Sequence, residues 1–355
     1  MAGPYAHFLV LRESLKNLYR DLSLKKYQSI INPTTTAPFF SYACLGAVSP
    51  DYPYAAMKLG DVNSRPDENG WYWGDKFHKQ NTGNFIDIGL QELRGITNKT
   101  DKSFLKKTAW LMGYYSHVIT DLVIHAAVYK LVGGCYENHS HDHLHCEVVQ
   151  DSLLFYDVYS NPAQELVDVH FFRILQKCQE DEWWVPAELD DLPVFDLDSD
   201  IKNFWDFIIS RNYADFYKTD VPEINDWHKW YSFIMSVGTG VVARTVEPGM
   251  AYDATGEIAR NDKIKYYSHA ILPDGSVGAY KDKVFARAVG EVTARLTAFL
   301  KALDDDASYT AFKSTLGAWN MDKGIVADTN PKFMFWDGGI TDLYNCHGDP
   351  PAKPI

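Results

Sequence analysis

An all-α fold, a multi-helix bundle, is the architecture this sequence predicts, and two observations predict it. Helical periodicity runs through the first two thirds of the chain, and one segment, Ser103 to Val132, is long and apolar on most sides. A helix of that kind belongs at the centre of a bundle, because it leaves no broad polar face for solvent. Its apolar residues include Trp110, Leu111, Tyr114, Val118, Leu122 and Ile124, and Gly133-Gly134 supplies the stop.

The other elements follow in order. Residues 5 to 22 place Phe8, Leu11, Leu15 and Leu18 on one stripe with Arg12, Lys16 and Arg20 opposite, which is an amphipathic helix. A Pro/Thr-rich break follows at Asn32 to Thr36, and then a short apolar segment leads to Gly46-Ala47-Val48-Ser49-Pro50-Asp51, where Pro50 limits further helix. After the central helix, helical patterns cover residues 143 to 159, 162 to 180, 200 to 216 and 226 to 244. Residues 181 to 200 carry eight carboxylates and no basic residue, the pattern of a solvated connector. Beyond residue 246 the character changes. Residues 247 to 280 are rich in Gly, Asp and Tyr without a helical period, 281 to 303 form one good helix, and the end contains Pro and Gly. The expected organisation is a helical core, 1–246, with an irregular C-terminal extension, 247–355, packed on it.

Composition narrows the function. The chain has 355 residues, 46% hydrophobic and 23% charged, which is ordinary globular usage. Lys and Arg number 34 against 47 Asp and Glu, a net charge of −13, and a field of that sign repels a long polyanion. Extended nucleic acid is therefore a poor partner. Five scattered cysteines without a CxxC pair argue against a disulfide framework or a cysteine zinc knuckle. The start lacks a basic region and a cleavage site, and no window reaches the ~18 apolar residues of a membrane span, so a cytoplasmic location is expected.

The chemistry is concentrated in histidines and carboxylates. His117, Asp121 and His125 are spaced i, i+4 and i+8, so they point in broadly one direction from the apolar central helix. Burying three such groups costs several kcal/mol unless they are paired or bound to a cation. Imidazole and carboxylate are ligands that zinc accepts. A second cluster follows in Glu137 to Glu147: if a helix begins near Asp142, His143 and Glu147 share a face, and Asp151 extends it. Three upstream residues have ordinary roles when taken singly: His7 as a core histidine, Asp51 as a turn or cap residue, and His78 as a packing partner in Trp71-Tyr72-Trp73-Gly74-Asp75-Lys76-Phe77-His78.

Taken in order, His7, Pro50-Asp51, His78, His117-x3-Asp121, His125 and His143-x3-Glu147 resemble the zinc-dependent phospholipase C family. That family shares a superfamily with the single-strand-specific zinc nucleases. The four-residue step from Asp121 to His125, on one uninterrupted helix, resembles its non-secreted branch. The resemblance covers about residues 1 to 160 and implies a cluster of two or three zinc ions in a cleft between helices. By that resemblance Asp51, His78, His117 and Asp121 hold one zinc, Asp121 bridges to a second that also takes His7, and His125, His143 and Glu147 hold the third. The founding members use their N-terminal amine as a further ligand, which here would fall to Met1 or Ala2. The implied activity is hydrolysis of a small-molecule or lipid phosphoester, with Asp51 as general base. The alternatives are a nuclease or nucleotidase on the same scaffold, or a metalloprotein repurposed within a specialised pathway. Trp71-Tyr72-Trp73, Trp183-Trp184 and Trp227 with Trp230-Tyr231 are candidates for a cage around a choline-like cation or a stacked base.

Overall fold

The computed structural model describes residues 3–34, 37–55, 68–134, 136–158, 178, 196–237, 260–326 and 332–337. The expected helix at 162–180, most of the acidic connector, Trp183-Trp184, Met1 and Ala2 lie outside them.

The described residues are dominated by helix. The first part contains α1 (Pro4–Arg20), α2 (Gln28–Ile31), α3 (Phe40–Gly46), α4 (Glu68–Lys79), α5 (Thr82–Gly95), α6 (Lys102–Val132) and α7 (Tyr136–Val158). Next come α8 (Ser199–Asn212), α9 (Ala214–Thr219), α10 (Ile224–Val237), α11 (Arg260–Asp262), α12 (Ala286–Ala302) and α13 (Asp306–Lys313). A 3-10 turn, Ser49–Ala55, follows α3 and carries Asp51. The C-terminal part also forms two small antiparallel sheets that the sequence pattern did not announce. One pairs β1 (Ala270–Ile271) with β2 (Val277–Gly278), and the other has the order β3 (Trp319–Asn320), β4 (Ile325–Val326), β5 (Lys332–Phe333).

Helix α6 is the axis of the bundle. Asp101 caps its start by accepting from the Ser103 backbone N–H at 3.0 Å, and Gly133, at φ 85°, ends it in the left-handed region. From Thr108 to Tyr129 every residue is buried, so its stability comes from packing on all sides rather than from one stripe. Helices α1, α3, α5, α7, α8 and α12 all lie against it. The closest approach is to α3. A Cβ at Gly113 would stand 1.9 Å from the Ala43 carbonyl oxygen, and one at Gly46 would stand 2.0 Å from that of Trp110. Only a pair without side chains lets the two backbones touch, and this contact sets where the chain leaves α3 for the Asp51 turn.

Aromatic rings fill the space between α4, α5, α8 and α10. Trp73, Phe77, Phe85, Trp205 and Trp227 are all at most 1% exposed, and a buried phenylalanine alone stabilises by roughly 1.5–3 kcal/mol. Trp73 and Trp227 lie 6.4 Å apart between ring centroids. Their burial corrects the cage expectation for these two residues: they are core. Tyr231 is likewise buried, stacked on Tyr52 at 4.4 Å. Trp71 stays 42% exposed and packs edge-on against Tyr54.

Candidate metal centre

Five elements bring the eight predicted residues to one place. His7 comes from α1, Asp51 from the 3-10 turn, His78 from the last turn of α4, His117, Asp121 and His125 from α6, and His143 and Glu147 from α7. All eight are at most 5% exposed. The α7 helix begins earlier than the pattern implied, at Tyr136, with a break in its dihedrals at His139, and it continues through the His143–Glu147 face.

The geometry centres on Asp121. Its Oδ2 lies 3.1 Å from His117 Nε2 and 3.8 Å from His78 Nε2. Its Oδ1 lies 3.2 Å from His7 Nε2 and 3.5 Å from His125 Nε2. Asp51 Oδ1 is 3.2 Å from His78 Nε2 and 3.7 Å from His117 Nε2. On the far side, Glu147 Oε1 lies 3.2 Å from His125 Nε2 and 3.0 Å from His143 Nε2. Three groups of donors result, the first two sharing His117: His7, Asp51 and His117; His78, His117 and Asp121; and His125, His143 and Glu147.

Backbone carbonyls decide what these imidazoles offer. Nδ1 of His78 donates to Gly74 O, that of His117 to Ala47 O, and that of His125 to Met321 O, each at 2.8 Å. A carbonyl can only accept, so Nδ1 carries a proton and Nε2 of each ring is turned toward a carboxylate. Where that Nε2 carries no proton, acceptor faces acceptor. Nε2 of all five histidines, both Asp121 oxygens and Asp51 Oδ1 make no hydrogen bond among the described residues. That arrangement is unfavourable unless further protons or cations enter it. Divalent ions fit the donor set. Two ligand atoms each about 2.0–2.1 Å from a tetrahedral zinc are about 3.4 Å apart, and the separations of 3.0 to 3.8 Å in this structure bracket that value. Carbonyl-oriented imidazoles are also the usual surroundings of metal-binding histidines.

Electrostatics agree with this reading. Burial would raise the Asp121 carboxyl, but the imidazoles of His125, His117 and His7 overcome it and hold it well below the usual carboxylate range. Asp51 is held low in the same way, burial being outweighed chiefly by His117 and His78. His7, stacked face to face on His117 at 4.0 Å, is pushed down by burial and by its neighbour's charge.

Supporting residues complete the picture. Asp151 does not extend the ligand face: its carboxylate accepts from the backbone N–H groups of Tyr5 and Ala6, at 3.0 and 2.9 Å, and so pins the start of α1 and with it His7. His228 on α10 was missed by sequence reasoning. Its Nδ1 lies 3.2 Å from the hydroxyl of Tyr52, the neighbour of Asp51, and burial pushes its pKa down to about 3, so it stays neutral. Asp322 and the Met321 carbonyl were also missed, because nothing in local spacing ties residue 321 to residue 125. The remaining histidines of the His-rich segment face elsewhere: His141 has 87% of its side chain exposed, and His145 pairs with Asp262 at 3.1 Å.

A helical bundle whose buried centre gathers five imidazoles and three carboxylates defines the class: an all-α protein with buried His and carboxylate groups that could hold metal ions. The family model for zinc dependent phospholipase C matches residues 6–234, more than half of the chain. The chain belongs to that family. No curated protein and no solved structure matches it. No helix among the described residues is long and apolar enough to cross a membrane.

Proposed function

We propose that this protein is a zinc-dependent hydrolase of phosphoesters, phospholipase C-like, acting on a small-molecule or lipid substrate. The observation that carries the proposal is that the two oxygens of Asp121 face different imidazoles, Oδ2 that of His117 and Oδ1 those of His7 and His125, which supports adjacent ions. His78, His117, Asp121 and Asp51 would hold one ion, His7 with Asp121 a second, and His125, His143 and Glu147 a third. When bound, such ions acidify water and neutralise the charge that builds on a phosphoryl group during in-line attack.

The chain's own groups do the rest. Asp51 is the ligand carboxylate with the greatest exposure, 5% against none for Asp121, so it is the one placed to take a proton from the attacking water. Its ionised state is secured by His117 and His78, which keep a proton-accepting carboxylate available at neutral pH. Asp121, enclosed by four imidazoles, fixes the spacing of the centre. Burial of the remaining ligands keeps bulk water from competing for them.

The nucleotide reading has less support. Among Lys102, Lys106 and Lys107, the nearest approach to a basic track, Lys106 is committed to Asp198 at 2.6 Å and Asp200 at 3.4 Å. The test is a panel of phosphatidylcholine, a chromogenic phosphodiester and single-stranded DNA, run with zinc-loaded protein and with Asp51→Asn. The proposal expects turnover of a small or lipid ester, reduced in the variant by about 10²-fold or more. Turnover of DNA alone favours the nuclease. Firmly held zinc without turnover of any of the three favours the repurposed metalloprotein.

A further inference from the structure

His125 joins the two halves of the centre, since its Nε2 faces both Asp121 and Glu147, yet the group that orients it lies outside the family-matched region 6–234. Its Nδ1 donates to the carbonyl of Met321, 196 residues downstream. Met321 opens a 3-10 turn, Met321–Lys323, that connects β3 to β4, and it is completely buried.

That turn is fixed on several sides. The Asn320 side chain accepts from the Lys323 N–H at 3.2 Å. Gly324, at φ 67°, closes the turn with its N–H on Met321 O at 3.1 Å, so the same oxygen receives both the turn and the imidazole. A Cβ at Gly324 would stand 2.7 Å from Ala126 N and 2.8 Å from Leu122 O, which places the turn directly against α6 beside His125. Thr82 of α5 exchanges hydrogen bonds with the Trp319 backbone, and Trp336 Nε1 donates to Val123 O at 2.9 Å. A carbonyl held this rigidly fixes the tautomer and the plane of the ring it accepts from.

The next residue adds a charge. Asp322 is 15% exposed at its side chain and lies 3.4 Å from Lys79 Nζ, one residue past His78 on α4. Burial would raise its carboxyl, but His78 and then Lys79 hold it low.

We infer that the segment Trp319–Gly324 is part of the metal centre of this protein: the Met321 carbonyl positions His125, and Asp322, through its ion pair with Lys79, ties the turn to the end of α4 that carries His78. The inference rests on the metal-centre reading above. It adds that the family-matched region alone does not complete the site.

The test uses the full chain, stripped with a chelator and titrated with zinc against a chromophoric competitor, together with the visible spectrum of the cobalt-substituted protein. Asn320→Ala removes the side-chain bond that closes the turn, Gly324→Val wedges the turn off α6, and Asp322→Asn removes the charge without changing size. Lys332→Ala, exposed on the same small sheet, is the control. With helical circular dichroism retained, the first three variants are expected to bind the weakest zinc about 10–100-fold less tightly and to change the cobalt spectrum, while the control does neither. Should Gly324→Val fail to fold, Asn320→Ala carries the same question. Zinc affinities and cobalt spectra equal to the parent in Asn320→Ala and Asp322→Asn would overturn this inference alone. A parent chain that takes up no zinc would overturn it together with the metal-centre reading.

Discussion

At the scale of single residues, the members of the candidate centre that the structure brings together were legible in the sequence, and for a physical reason. Histidine and aspartate at i, i+4 and i+8 on an apolar helix have few neutral explanations, so His117, Asp121 and His125 announce themselves. His7, Asp51 and His78 do not: each becomes informative only through its place in the order of the others. What the spacing could not reveal was the orienting shell, since Ala47 and Met321 act through carbonyls that every residue possesses. The protonation state of that shell is testable. In the metal-free protein burial opposes a charge on His78, but the Asp51 carboxylate, 3.2 Å from its Nε2, and those of Asp322 and Asp121 outweigh it and raise the imidazole to about 9. An unfolded histidine titrates near 6.5, so this contribution to the metal-free fold is fully present below about pH 6.5 and is lost as pH rises through about 9. Zinc requires the unprotonated Nε2, which reverses the sign. At about pH 7.5, zinc uptake should therefore release about one proton from His78. Calorimetry in two buffers of different ionisation enthalpy measures it, and heats independent of buffer would contradict the assignment.

Among the elements, the helices with long apolar stripes came through well, whereas α4 (Glu68–Lys79) and α5 (Thr82–Gly95) were not anticipated. Helix α6 begins within one residue of its expected start and ends at Val132 as expected, and α1 spans 4–20 against an expected 5–22. The start of α7 was harder, since Glu137 to His145 is almost wholly polar and offers no stripe to follow. The short strands were illegible for a similar reason: two residues per strand are too few for alternation to register. Asp151 shows how one element governs another. By accepting two N–H groups at the start of α1 from a position on α7, it stabilises a helix end and orients His7 at once. Asp151→Asn should lower the stability of the metal-free protein by about 1–2 kcal/mol in urea unfolding and weaken the ion that His7 would hold. A variant with unchanged stability and unchanged zinc titration would show that the cap does neither.

For the molecule as a whole, the sequence indicated the bundle and its axis but not how the chain's end returns to its middle. The reading of residues 1–246 as a core with an extension packed on it remains our proposal. The long-range bonds Met321 O to His125, Trp336 to Val123 and Trp319 to Thr82 tie the extension to the centre of that core. The proposed function stands or falls on whether the buried imidazoles and carboxylates hold a metal cluster or are a set of satisfied core residues. Hydrophobic packing around α6 would hold the bundle together in either case, so stability alone does not separate the two. Elemental analysis of the full chain purified without added metal, beside Asp121→Asn, does. More than one zinc per chain is expected in the parent and a clear loss in the variant, because the two oxygens of Asp121 face different imidazoles. Protein that carries no divalent metal, and takes up none when zinc is supplied, would contradict the proposed function.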